Sequence, residues 1–98
     1  MGLLCALVKM SGWYMKLLRS KAKNKKYTVV YQGRTINFGD SRYEDYTQHH
    51  DIARMRAYRK RHSGDHITDP TKPGFWAWHV LWSDKNLDRA FSAAVRLI

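Results

Sequence analysis

The chain has 98 residues and a formal net charge of +10, because it carries 18 Lys and Arg residues against 8 Asp and Glu residues. A chain of this length supports one hydrophobic core, so we expect a single domain. With 44% hydrophobic and 13% aromatic residues, it is too apolar for a disordered basic tail. Its one cysteine excludes a disulfide framework and a Cys-rich zinc module. These limits indicate a small basic folded protein with a polyanionic partner.

The N-terminal segment, residues 1–19, is predicted to form an amphipathic helix that extends the domain. Its apolar residues recur at helical spacing, while Lys9, Lys16 and Arg19 point away from them. The run is far shorter than the ~20 residues of a membrane-spanning helix, so we expect no transmembrane segment. We expect the start of this helix to dock on a neighbouring subunit through Leu3, Leu4, Leu7 and Val8.

Residues 20–26 are predicted to be a basic linker that stays mobile until it meets a partner, because they include no apolar anchor. The domain proper spans residues 27–98 and opens with a β-hairpin at 27–38. Two runs of β-branched and aromatic residues flank the turn signal Gln32-Gly33 in this hairpin.

The second half of the chain is predicted to be helical. A basic helix covers about residues 49–61 and is capped by Thr47 or a nearby polar group. The aromatic segment 75–82 is too bulky to be mostly exposed, and a C-terminal helix capped by Ser83 follows at 84–98. We therefore predict an α+β fold, a small single domain with a β-hairpin packed against helices.

The positive charge is concentrated in two islands. Residues 1–26 contain seven bases and no acid, and residues 47–62 contain five bases and only Asp51 as an acid. Such islands bind successive phosphates or an acidic protein face, and nothing in the pattern predicts base-specific readout. The candidate binding residues are Lys21, Lys23, Lys25, Lys26, Arg54, Arg56, Arg59, Lys60 and Arg61.

A cluster of His and Asp residues raises the question of a metal site. The candidate ligands are His49, Asp51, His62 and His66. The helix-breaking pair Ser63-Gly64 separates the last two, and no His-Glu-x-x-His motif or Cys pair supports them. We therefore expect no metal, no cofactor, no catalytic residue and no enzymatic activity. A metal-dependent nuclease is the third hypothesis.

Three segments carry a resemblance: KKYTVVYQGRTINFGDSRYEDYTQHHD, ARMRAYRKRHSGD and TKPGFWAWHVLW. They resemble a family of short basic proteins, without established function, from large double-stranded DNA viruses of algae and protists and from some marine phages. The matching residues are Lys25-Lys26-Tyr27, Phe38-Gly39, Tyr43, Asp45-Tyr46-Thr47, His49, Asp51, Arg54, Tyr58, Arg61-His62, Gly74-Phe75-Trp76 and Leu81-Trp82. Residues 1–14 look like an addition to this family pattern. The resemblance implies a viral setting and a fold, and it implies no activity.

The sequence thus predicts a small non-enzymatic, virion-associated protein, either a minor capsid or an internal structural protein, that bridges acidic surfaces. Its expected partners are viral capsid proteins, nucleic acid or both, with no small-molecule substrate. The alternative is a sequence-nonspecific DNA-binding protein of the infected cell. The oligomeric state stays open.

Overall fold

The computed structural model describes residues 3–10 and 12–98 and confirms the α+β class. A four-stranded antiparallel sheet in the order β1-β2-β3-β4 is followed by helices. The strands are β1 (Leu4–Met10), β2 (Trp13–Arg19), β3 (Lys25–Tyr31) and β4 (Arg34–Asp40). The helices are α1 (Tyr46–His49), α2 (Ile52–His62), α3 (Pro73–Trp76), which continues as a π-helical segment (Ala77–Leu81), and α4 (Leu87–Val95).

The predicted N-terminal helix is wrong, because the described part of residues 1–19 forms the hairpin β1–β2. Residues 1, 2 and 11 of the predicted helix lie outside the described residues. Every second side chain faces the core: Met15 and Leu17 are buried, and Val8 and Met10 pack against them. The same apolar residues fit a period of two as well as a helical period, and pairing with β3 decides between the two.

Residues 20–26 are a tight turn and the start of β3, not a mobile linker. The backbone N–H of Ser20 donates to the carbonyl of Lys26 (3.0 Å), and that of Lys25 donates to the carbonyl of Ala22 (3.2 Å). Asn24 adopts a left-handed conformation, which an Asn side chain tolerates better than most. The segment therefore needs no apolar anchor, because the hydrogen bonds of the hairpin fix it.

The hairpin β3–β4 forms around the turn that the sequence indicates. Gln32 and Gly33 both have positive φ, as a two-residue turn of type I′ requires. Each strand runs two residues beyond the predicted range of 27–38. The longer strands bring Lys25 opposite Asp40 at the far end of the hairpin.

One face of the sheet packs against α3, the π-helical segment and α4. The sheet contributes Leu17, Val29 and Phe38 to this core, and Trp76 and Phe91 fill it from the helices. The aromatic segment therefore lies inside, as bulk alone requires in so small a domain.

The C-terminal helix begins three residues later than predicted and is not capped by Ser83. Asn86 is the N-cap, and its side chain accepts from the backbone N–H of Arg89 (2.9 Å). The hydroxyl of Ser83 instead donates to the carbonyl of His79 within the π-helical segment. Among the described residues, no helix is long and apolar enough to cross a membrane.

We expect Gly39→Ala to destabilise the fold by about 2–4 kcal/mol, as the sum of left-handed strain and overpacking. Gly39 has φ +79°, and a Cβ there would lie 2.7 Å from Leu81 Cδ1 and 3.2 Å from Lys26 Cβ. Gly33→Ala is the matched control, because Gly33 has φ +76° with no atom within 4 Å of the added Cβ. It should cost only the strain, about 1–2 kcal/mol. Urea unfolding measures both, and equal losses would contradict the packing argument.

Candidate functional site

A cleft of about 730 Å³ lies between helix α2 and the end of the sheet where β3 begins and β4 ends. Its floor is apolar and includes Phe38, Leu81 and Trp82. Its rim carries bases, among them Arg54 and Arg61. The cleft therefore combines an apolar base with positive charge at the opening.

Helix α2 forms the basic wall of the cleft. It contains no buried residue, so its attachment to the rest of the domain depends on partly buried aromatic and cation–π contacts. The Tyr58 ring stacks on Trp82 with the centroids 4.3 Å apart and an interplanar angle of 5°. His62 stacks on Tyr58 at 4.2 Å. Burial, with a smaller contribution from Asp65, raises the pKa of Tyr58 to about 12. A second contact places the Arg59 guanidinium 4.3 Å from the Trp78 ring centroid.

Helix α2 begins at Ile52 rather than at residue 49, because His50 adopts a left-handed conformation and ends α1. The carboxylate of Asp51 then caps α2 by accepting from the backbone N–H groups of Ala53 and Arg54. Thr47 does not cap the basic helix, since it lies inside α1. This capping turn sets the rotation of α2, so that its positions 54, 58 and 61 face the cleft.

Lys26, one of the predicted binding residues, lies in a buried ion pair. Its Nζ is 2.6 Å from Asp45 Oδ2 and 2.6 Å from Gln48 Oε1, and the Lys26 and Asp45 side chains are 9% and 2% exposed. Asp45 also caps α1 by accepting from the backbone N–H of Thr47 (2.9 Å). The pair therefore joins β3 to α1 at one side of the cleft, and its charge is neutralised.

The other predicted bases remain exposed, except Arg59, which is partly buried against Trp78. Among the described residues, none of these exposed bases has a carboxylate within 4 Å; they are Lys21, Lys23, Lys25, Arg54, Arg56, Lys60 and Arg61. Lys25, Arg54 and Arg61 line the cleft, and Lys21 and Lys23 lie in the adjoining turn. The backbone N–H of Ser41 donates to the carbonyl of Asn24 (3.1 Å), which ties this turn to the loop after β4. The structure thus brings Lys25 of the first island together with Arg54 and Arg61 of the second at one cleft.

Most of the carboxylates of the cleft are already paired. Arg42 hydrogen-bonds Asp40 through two guanidinium nitrogens and holds the pKa of that carboxyl at about 2. Asp65 Oδ2 lies 2.6 Å from His62 Nδ1. With Asp45 bound to Lys26, Glu44 is the acid on the cleft wall that has no basic partner within 4 Å among the described residues. The net charge of the cleft residues that have no ion-pair partner is therefore positive, because Lys25, Arg54 and Arg61 outnumber Glu44.

The four candidate metal ligands do not converge on one point. Nδ1 of His49 accepts from the backbone N–H of Asp51 (2.9 Å), and Asp51 in turn caps α2. His62 pairs with Asp65, and His66 follows in the next turn with a positive φ. Within residues 3–10 and 12–98, no three His, Cys, Asp or Glu side chains are placed to hold a metal ion. His49 Nε2 is buried without a hydrogen-bond partner, and the centroid of its ring lies 6.3 Å from that of Tyr46 and 5.5 Å from that of Trp82.

The predicted docking residues lie on or next to β1, but they do not share a face. Leu4 and Leu7 are about half exposed, whereas Val8 packs against the core. Leu3 precedes the strand and is 77% exposed. The four residues were grouped by helical spacing, and the strand separates them by alternation.

Two features of the site have no simple sequence signal, the stack of Tyr58 on Trp82 and the close packing at Gly74. A Cβ on Gly74 would lie 1.9 Å from the carbonyl oxygen of Asp65, so only glycine allows the turn after α2 to pack on α3. Most of the motif residues that carry the viral resemblance line the cleft, including Phe38-Gly39, Tyr43, Arg61-His62 and Leu81-Trp82. The motifs were the signal that points to this place.

The model of a family of unknown function (DUF5754) matches residues 15–62. This segment covers most of β2, all of β3 and β4, and helices α1 and α2. It therefore includes the ion pair of Lys26 with Asp45 and the basic wall of the cleft, whereas β1, α3 and α4 lie outside it. No curated protein and no solved structure significantly matches the chain.

We expect Asp45→Asn to destabilise the fold by about 3–5 kcal/mol, because it leaves the Lys26 charge buried without its counterion. The measurement is the free energy of unfolding in urea. Asp40→Asn is the matched control: it removes the acid of an exposed ion pair with Arg42 and should change stability little. Similar effects of the two substitutions would contradict a structural role for the buried pair.

Proposed function

We propose that this protein is a non-enzymatic nucleic-acid-binding protein that holds the phosphate backbone on the basic rim of the α2 cleft. The observation that carries this proposal is the convergence of Lys25 with Arg54 and Arg61, bases from two islands that lie far apart in the sequence. These three side chains are exposed, and among the described residues none has a carboxylate within 4 Å. Exposed, unpaired bases gain the most from releasing the counterions of a phosphate chain.

The spacing along α2 suits a polymer better than a small anion. Arg54 and Arg61 lie seven positions apart on one helix face, which is about 10 Å along the axis at 1.5 Å per residue. Arg56 and Lys60 extend the positive charge beyond the cleft, and Lys21 and Lys23 extend it along the neighbouring turn. A chain of phosphates can contact several of these groups at once, whereas one small anion reaches few of them. Because none of these contacts requires a base edge, binding is independent of sequence.

The shared cleft favours one composite nucleic-acid surface built from bases of both islands. Lys25 of the first island and Arg54 and Arg61 of the second border the same opening, so one acidic polymer can contact all three. We therefore propose that the protein is virion-associated, as a minor capsid or internal structural protein, and that it contacts the genome through this cleft. The viral resemblance of the motifs supports that setting, and DNA binding in the infected cell is the alternative. Finding the protein in purified particles at a fixed ratio to the capsid protein supports the first setting, and its absence from them supports the second.

We expect the double variant Arg54→Gln/Arg61→Gln to weaken binding to a short DNA duplex and to flatten its salt dependence. Each lost phosphate contact should reduce the slope of log K against log salt concentration by about 0.9, so the double variant should lose up to about 2. Fluorescence anisotropy of a labelled duplex at several KCl concentrations gives both quantities.

The control is Lys85→Gln/Arg96→Gln, which removes the same charge from exposed positions beside α4 that do not line the cleft. It should leave the slope nearly unchanged. An equal loss in both double variants would show that net charge alone drives binding, and no measurable binding by the unchanged protein would refute the proposed function.

A further inference from the structure

The face of the sheet turned away from the helices is open and carries apolar side chains over strands β1 and β2. Cross-strand pairing assigns residues to this face: Leu7 lies opposite Lys16, Tyr14 opposite Lys9, and Leu4 opposite Leu18. Leu4, Leu7 and Tyr14 are 57%, 50% and 52% exposed. Val30 of β3 adds a side chain that is 51% exposed, since its neighbour Val29 points into the core. The described part of the chain thus leaves an apolar surface uncovered.

The opposite half of the same face is polar. The hydroxyls of Ser20 and Thr28 both donate to Asn37 Oδ1, at 3.0 and 2.6 Å. These side chains satisfy one another, so that part of the sheet needs no partner. The uncovered apolar surface is therefore confined to the β1–β2 side and its border with β3.

Positive charge is set into this apolar surface. Lys9 and Lys16 occupy positions directly across from Tyr14 and Leu7. The four strands contain no acid before Asp40, which ends β4. The surface is consequently apolar and cationic together, and its complement is apolar and anionic.

The mixture of leucines and lysines distinguishes between the possible occupants. A second copy of this face would place lysines against lysines with no acid to pair them. The core of a protein interface is depleted in lysine, because the ammonium must be desolvated there. The backbone and groove edges of a nucleic-acid duplex are mostly polar and offer little apolar surface to leucines on a flat sheet. At a lipid bilayer, by contrast, leucines enter the interfacial region while lysine stems reach up to the headgroup phosphates.

We propose that the outer face of strands β1 and β2 binds the surface of an anionic lipid bilayer. Leu4, Leu7 and Tyr14 insert into the interfacial region, and Lys9 and Lys16 contact anionic headgroups. This surface and the α2 cleft belong to different parts of the molecule and take different ligands, so the two proposals stand independently.

Co-sedimentation with vesicles tests this proposal. The protein should bind vesicles of phosphatidylcholine mixed with phosphatidylserine and should bind pure phosphatidylcholine vesicles weakly. Lys9→Gln/Lys16→Gln should lower the partition coefficient on the mixed vesicles by about fivefold per lysine. Leu4→Gln/Leu7→Gln should lower it by about tenfold, through lost insertion of apolar area. All four positions are exposed or partly exposed on the sheet, so far-UV circular dichroism and the unfolding midpoint should not change.

The matched control is Arg56→Gln/Lys60→Gln, which removes the same charge from the exposed side of α2. It should retain vesicle binding, and the two sheet variants should retain binding to the DNA duplex. Absence of binding to the mixed vesicles, or an equal loss in the α2 control, would overturn the proposal. A dimer in light scattering that Leu4→Gln/Leu7→Gln dissociates would also overturn it and would assign the face to a second copy of the chain.

Discussion

The arrangement of the cleft depends on the buried ion pair of Lys26 with Asp45. Lys26 belongs to β3, and Asp45 is the residue from which α1 starts, so the pair fixes the direction in which the chain leaves the sheet. That direction determines where α2 runs and which of its side chains face the cleft. Two charges removed from water favour folding only when hydrogen bonds satisfy the remaining polar atoms, and here Gln48 and Thr47 supply them. A lysine that looks like part of a binding island is therefore a structural residue.

Short-range sequence patterns were sufficient to predict the β3–β4 hairpin and the apolar face of α4. The turn at Gln32-Gly33 specifies its own hairpin, and the apolar face of α4 follows the helical period over its whole length. The N-terminal segment was predicted wrongly because its apolar residues satisfy two periods at once. The decision between helix and strand there depends on Leu17 pairing with Val29, a contact between two strands that the periodicity of one segment does not reveal.

The candidate site could be predicted in its charges but not in its geometry. Counting bases locates the two islands along the sequence, but whether each base is free to bind depends on its tertiary neighbours. Lys26 forms an ion pair with Asp45, and the Arg59 guanidinium lies over the Trp78 ring. Lys25 and Arg61, by contrast, are exposed and line the cleft. Likewise, the four possible metal ligands are close in sequence, but each is engaged in a local capping, pairing or turn role. Candidate ligands that are close together in the sequence therefore need not bring their side chains to one metal site.

The way α2 is attached has a consequence for the behaviour of the molecule in solution. This helix buries none of its side chains completely and rests on the body through Tyr58 and Arg59, between a left-handed residue at His50 and the turn at Ser63-Gly64. We therefore expect this helix to open locally at a smaller free energy than the core helices do. Under the proposed function, a polyanion that contacts both α2 and the sheet requires α2 to be docked. Ligand binding and helix ordering are thus thermodynamically linked, and amide exchange slowed selectively in α2 becomes the signature of an occupied cleft.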